Sequence, residues 1–175
     1  GVNCEAVTDV AIMALVTVVL LAQILVMVSG VHISSLDAPS VVLAGDELLL
    51  DCDFSYQESE SSQLDLKWYF NSSPFPIYQW VPSMQKGPQV IGDLFKNNLD
   101  LLYSAHNDTF KKHRALHILN PDHRFSGTYM CKVSSFVDED FQQKDVLVIG
   151  KYLCIEITDV AKNSSWWCFH KFKHN

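Results

Sequence analysis

Three short stretches restrict the fold of this chain more than any bulk property does. In Leu48-Leu49-Leu50-Asp51-Cys52-Asp53-Phe54, alternation places Leu48, Leu50, Cys52 and Phe54 on one face of a strand. Leu64-Asp65-Leu66-Lys67-Trp68-Tyr69-Phe70 alternates in the same way, with Leu64, Leu66, Trp68 and Phe70 together. Phe125-Ser126-Gly127-Thr128-Tyr129-Met130-Cys131 reads as a tight turn entering a strand whose inward positions are Tyr129, Cys131 and Val133. Successive side chains of a strand point to opposite faces, so each of these strands offers one apolar face that needs a partner sheet. A cysteine, a tryptophan and a second cysteine thereby reach one core in that order. Two free buried cysteines beside a core tryptophan would satisfy the alternation alone.

The tyrosine two residues before the second cysteine goes further. Cys52, Trp68, Tyr129 and Cys131, with Gly127 at the turn, resemble the signature of the immunoglobulin superfamily over residues 36–149. The resemblance implies an all-β, immunoglobulin-like (V-type) antiparallel β-sandwich. A Cys52–Cys131 disulfide would cross between its sheets, the Trp68 indole would pack on that bond, and the Tyr129 phenol would close the corner. One position departs from the pattern. Many variable-type domains carry an aspartate two residues before the corner glycine, salt-bridged to an arginine, and this chain has Phe125 there.

With 175 residues, 48% of them hydrophobic and 19% charged, the chain has material for one domain plus extensions. A net charge of −7 and one short basic cluster, Lys111-Lys112-His113-Arg114, leave no electrostatic footprint for a nucleic acid. Five cysteines, an odd count, suit an oxidising compartment with one or two bridges and a leftover thiol. Cys154 and Cys168 can bridge in the tail, leaving Cys4 in a segment expected to be removed. His113, His117 and His123 have no ligand partners at zinc spacing and read as surface or corner histidines. Gly-x-Ser-x-Gly, P-loop and His-Glu-x-x-His motifs do not occur, so no catalytic residue, cofactor or metal is expected.

Residues 1–30 carry an apolar run from Val10 to Val28, broken only by Thr17 and Gln23 and followed by Ser29-Gly30. Its length suits a signal peptide or a signal anchor, and the small residues after it favour cleavage near Gly30. Residues 38–46 read as an edge strand, 57–63 as a polar loop, and 76–82 as a short strand between prolines that argues for the variable-type set. Further strands are expected at 89–91, 99–104, 115–119 and 146–149. Asn71, Asn107 and Asn163 each begin a glycan acceptor triplet. Residues 150–175 read as an irregular tail without domain character. One codon choice for Gly150-Lys151-Tyr152 contains a consensus splice donor, so the tail also reads as translated intron, a question genomic sequence decides.

Function then rests on a surface. With Trp68 and Cys131 inward, Lys67, Tyr69, Met130 and Lys132 face outward, and Tyr78 and Trp80 share one side of the strand at 76–82. An exposed cluster of Tyr69, Tyr78, Trp80 and Met130 would have the composition of an interface core, whereas the other register folds Tyr78 and Trp80 over the core edge. Leu66-Lys67-Trp68-Tyr69, Ile77-Tyr78-Gln79-Trp80-Val81-Pro82 and Ser126-Gly127-Thr128-Tyr129-Met130-Cys131-Lys132-Val133-Ser134 resemble the first immunoglobulin domain of the beaten path family. Its members are secreted or membrane-tethered neuronal proteins that bind sidestep-type receptors in axon guidance. The resemblance implies a ligand face on the strands bearing these segments and on the loop at 135–141, where Asp138, Glu139 and Asp140 would steer a ligand. The expected function is a non-catalytic extracellular or cell-surface recognition and adhesion module, exported through the secretory pathway and touching membrane only through an anchor. Its partner would be an immunoglobulin-superfamily surface protein or a second copy. A soluble immune-type recognition protein and a spacer in a longer ectodomain are the alternatives.

Overall fold

The computed structural model describes residues 13–19, 30–150, 152–157 and 165–170. The chain divides into two compact units, Gly1–Gly30 and Val31–Asn175. In the first, residues 13–19 form helix α1. Its one polar residue, Thr17, returns its hydroxyl to the Met13 and Ala14 carbonyls. Among the described residues no helix is long and apolar enough to cross a membrane.

Residues 31–150 of the second unit are built on two sheets. One holds β1 (His32–Asp37), β3 (Leu48–Ser55) and β7 (Leu116–Ile118), with β3 central. The other holds β2 (Val41–Leu43), β4 (Asp65–Phe70), β5 (Tyr78–Trp80), β6 (Gln89–Val90), β8 (Gly127–Ser134) and β9 (Glu139–Ile149), in the order β2-β9-β8-β4-β5-β6. All its pairings are antiparallel except β2 with β9, where Val41 lies opposite Leu147 and Leu43 opposite Ile149 in a parallel register.

Two elements differ from the sequence expectation, each for a local reason. β1 is a strand the sequence did not suggest, lying wholly ahead of the edge strand expected at 38–46, which forms as β2; its buried residues, Ile33 and Leu36, are three apart because the register shifts between Ile33 and Ser35, which breaks the period of two. The strand expected at 99–104 reduces to one bridge between Leu99 and Ile118. Asp100 turns the chain there by accepting the Leu102 N–H at 3.0 Å, a side-chain-to-backbone bond that competes with the ladder.

The sheets are joined where the sequence signature lies. Cys52 of β3 and Cys131 of β8 are bonded, with Cα atoms 6.5 Å apart. Trp68 is fully buried beside them and donates its indole N–H to the Arg114 carbonyl at 3.2 Å. The Tyr129 hydroxyl donates to the Phe125 carbonyl at 2.7 Å, closing the corner. Phe125 is itself core. Its ring meets Phe95, from the short helix α2 (Asp93–Lys96), edge-on at 5.4 Å; Phe95 meets Phe70 at 5.4 Å and Phe70 meets Tyr129 at 4.8 Å. An aromatic cluster therefore occupies the corner where many variable-type domains place an ion pair, and Arg124 pairs locally with Asp122. The buried arginine is instead Arg114, which makes a fork to Asp51 at 2.9 Å through Nε and Nη2 and a further contact to Asp53.

Gly127 is required at the corner by space. A Cβ there would lie 2.1 Å from Asn71 Oδ1 and 2.8 Å from the Phe70 ring, and Asn71 Oδ1 is already accepting the Thr128 N–H at 3.0 Å.

Past Gly150 the expectation of an irregular tail is corrected: β10 (Tyr152–Ile157) and β11 (Ser165–His170) pair antiparallel. Their aromatic and β-branched residues explain the pairing, and the register sets Cys154 opposite Cys168. Asn163 and Cys4 lie outside the described residues.

Two outcomes test this packing. Cys52→Ala should lower the unfolding free energy by about 2–5 kcal/mol in a urea titration; an unchanged midpoint would contradict the inter-sheet bond as a stabilising element. Gly127→Ala should cost about 1–3 kcal/mol by forcing Asn71 and Phe70 aside, and a neutral result would mean the corner yields more easily than its contacts suggest.

Candidate recognition surface

The alternation that buries Trp68 and Cys131 turns Lys67, Tyr69, Met130 and Lys132 outward, and the strand register arranges them in rows. Lys67 lies opposite both Lys132 and Gln79, Tyr69 opposite Met130, and Lys132 opposite Phe141. Adjacent lysines repel unless matched. Lys67 Nζ is 2.5 Å from Asp65 Oδ2, Lys132 Nζ is 2.7 Å from Glu139 Oε2, and Gln79 donates to both Asp65 oxygens at 3.0 and 3.1 Å. The face is thus a charge-compensated polar ladder, edged by a shallow depression of about 220 Å³ between Gln79, Val81, Met84, Lys86 and Gln89. Such surface pairs contribute at most about 1 kcal/mol each, so they serve solubility and register more than stability.

The expected cluster of four exposed residues does not form. Leu66 is opposite Trp80 and Trp68 is opposite Tyr78, and directly opposed residues of an antiparallel pair share a face. Tyr78 and Trp80 therefore point inward and are 3% and 4% exposed. The Tyr78 phenol donates to the His113 carbonyl at 2.8 Å, and the Trp80 indole meets the His113 ring edge-on at 5.4 Å. Only half-buried Tyr69 and Met130 remain on the outer face. His113 and His117 are half-buried: burial pulls the His113 imidazole below its ordinary value, and the His117 ring lies 4.8 Å from Tyr103, with Glu47 and Asp100 oxygens at 3.3 and 3.4 Å.

The acidic run also separates by role. Asp138 sits exposed at the hairpin turn, whereas Glu139 pairs with Lys132. Asp140 shares the inward parity of Gln142 and ties down β1: its Oδ2 accepts the Ile33 N–H at 2.8 Å and lies 3.0 Å from His32 Nδ1, while Gln142 donates to the Ile33 carbonyl at 3.1 Å. Asp140 therefore anchors a strand rather than facing a ligand.

One patch of exposed apolar side chains lies at the turn joining β8 to β9; elsewhere Leu102 is 90% and Phe75 72% exposed, each in a separate loop. Phe136 is 87% and Val137 76% exposed, and Phe141 stands 59% exposed on the outer face next to them. The turn is ordered: the Ser135 N–H donates to the Asp138 carbonyl at 2.8 Å, and the Val137 and Asp138 N–H groups donate to Ser135 Oγ at 3.3 and 3.2 Å. Phe136, Val137 and Phe141 were not singled out from the sequence, though the signal was present. Turns favour Gly, Pro, Asn, Asp and Ser, so Phe-Val at a hairpin tip breaks the local rule without any gain for the core.

No family model and no curated protein matches the sequence. Among solved structures, the human B7-H4 IgV-like domain superposes with a TM-score of 0.50 at 11% identity, over 65% of this chain and 96% of that one. The fold is an immunoglobulin V-type sandwich. In this V-type fold β3, β4, β5, β8 and β9 are the B, C, C′, F and G strands, so the tip at 135–138 is the F–G loop and 57–63 the B–C loop. Asn71 is exposed at the other end of the C strand, where Phe70 pairs with Tyr129, and Asn107 is exposed beside Asp108, whose carboxylate faces the Tyr56 hydroxyl at 3.4 Å.

Trp80→Ala should behave as a core truncation and cost about 3–5 kcal/mol of folding free energy in denaturant titration; a stable variant would return Trp80 to the surface. Burial also raises the Tyr78 and Tyr129 phenols well above the ordinary tyrosine range. The unfolded chain releases those protons near pH 10, roughly, while the folded chain keeps them. The stabilisation is therefore intact below that pH and lost progressively as pH rises above it toward the raised values of the folded state. The Tm should hold to about pH 9 and fall beyond about pH 10, with a shallower fall in Tyr129→Phe; an identical profile in that variant would contradict the assignment.

Proposed function

We propose that this V-type domain is a non-catalytic recognition module that contacts another protein through its F–G hairpin and the adjoining outer face of the F and G strands. The observation carrying the reading is the exposure of Phe136, Val137 and Phe141 on an ordered hairpin, since large apolar side chains held in solvent add nothing to the core. Their setting has the anatomy of a small interface, an apolar centre rimmed by the Lys132–Glu139 pair and the exposed Asp138. Tyr69, Met130, Lys67 and Lys132 extend the face as complementarity rather than as its energetic centre.

The domain works outside the cell or on its surface. The Cys52–Cys131 bond and the apolar run ahead of Val31 both suit export, and a glycan on Asn71, at the other end of the C strand, would leave the hairpin tip uncovered. The segments shared with the beaten path family support the finer reading, adhesion in axon guidance through a sidestep-type immunoglobulin-superfamily receptor.

The test is binding of the tetramerised protein to cells that each display one surface ectodomain, sidestep-type receptors included. A partner found this way should lose about 2 kcal/mol or more of binding free energy on Phe136→Ala, with the Tm of the variant unchanged. Binding that survives Phe136→Ala, Val137→Ala and Phe141→Ala together would overturn the hairpin as the contact.

A further inference from the structure

Glu60 lies in a 3-10 turn, Glu58–Gln63, of the B–C loop, far in sequence from the hairpin. It is 5% exposed, and Glu60 and Arg114 are the buried charged residues among those described. Arg114 faces the carboxylates of Asp51 and Asp53. Glu60 has no ion pair among the described residues and is held by neutral donors alone. Its Oε2 accepts the Gln57 N–H at 3.1 Å and its Oε1 accepts the Ser135 hydroxyl at 2.7 Å. Burying a carboxylate without a cation is costly, so a neutral side chain would serve packing better.

The Ser135 hydroxyl explains what the carboxylate achieves. By donating its proton to Glu60, the hydroxyl turns its oxygen lone pairs toward the Val137 and Asp138 N–H groups, which donate to it. A charge-assisted bond at one end strengthens the next in such a chain. The shape of the apolar tip is therefore set by a side chain of a different loop, and that loop's turn also packs on the 3-10 turn at Pro82–Met84.

We propose that Glu60 is a positioning residue that couples the B–C loop to the F–G tip through Ser135, so that order imposed on one loop is transmitted to the other. The inference rests on the reading of the hairpin as the contact element. Because coupling free energy is reciprocal, a partner seated on Phe136 must tighten the B–C loop, and a change in that loop must loosen the tip.

Amide hydrogen exchange of the full exported chain, followed by mass spectrometry, tests this without any partner. Ser135→Ala should speed exchange at least tenfold both in the tip (residues 135–139) and in the distant turn (57–63), while residues 48–55 and 127–133 stay as in the wild type. Ser135→Thr, which keeps the hydroxyl, should restore both segments. Glu60→Gln, with one acceptor oxygen for two donors, should reproduce the effect of Ser135→Ala. The double variant should exchange no faster than Ser135→Ala alone. Faster exchange at the tip with an unchanged turn, or effects that multiply in the double variant, would overturn the coupling. Should Glu60→Gln fail to fold, the Ser135→Ala and Ser135→Thr pair still decides. Intact coupling together with partner binding that ignores Phe136→Ala would refute the contact reading while leaving the positioning role in place.

Discussion

The packing of Trp68 against the Cys52–Cys131 bond is the contact from which the rest of the domain follows. The disulfide fixes β3 to β8 across the sandwich, and the indole, anchored by its N–H to the Arg114 carbonyl, sets the facing of β4. Cross-linking residues so far apart in sequence removes many conformations from the unfolded chain, and the surrounding aromatics convert that restriction into a single packed arrangement. The corner shows how far this packing replaces charge. Phe125, Phe95, Phe70 and Tyr129 fill with packed rings the place an ion pair takes in many variable-type domains, and the buried cation Arg114 is satisfied elsewhere by Asp51 and Asp53.

Once Trp68 points inward, strand geometry decides what the outer face can be. Its neighbours Lys67 and Tyr69 must face out, and the residues opposite Trp68 and Leu66 on β5 must face in. The aromatic residues of β5 are thereby spent on the core, and solvent meets lysines balanced by Asp65 and Glu139. The hairpin carries exposed apolar side chains of its own, where no strand parity demands them. Rigidity is then a matter of local hydrogen bonds, and Ser135 with Glu60 supplies them from beneath the tip.

What the sequence revealed and what it hid divides along the same line. The fold was legible because long alternating strands carry Cys52, Trp68, Tyr129 and Cys131 at positions that only one architecture brings together. The facing of Tyr78 and Trp80 was not legible. A three-residue strand cannot fix its own register, and the connection before it passes through Asn71 and Ser72 in the left-handed region, which local pattern does not anticipate. Asp140 was misassigned because a run of three carboxylates looks uniform in sequence, whereas strand parity sends Glu139 out and Asp140 in toward β1. The hairpin tip lies in the loop at 135–141 that the resemblance put in the ligand face, but the acidic run there was the conspicuous feature, and the apolar pair Phe136-Val137 stands out only against the polar residues a turn favours.

The central claim is a contrast: Trp80 and Tyr78 are core, whereas Phe136 and Phe141 are exposed. Hydroxyl-radical footprinting of the folded protein, read residue by residue by mass spectrometry, measures that contrast directly. The account predicts rapid oxidation of Phe136 and Phe141, with Trp80 and Tyr78 protected until denaturant unfolds the domain. Oxidation of Trp80 in the folded state as fast as that of Phe136 would contradict it.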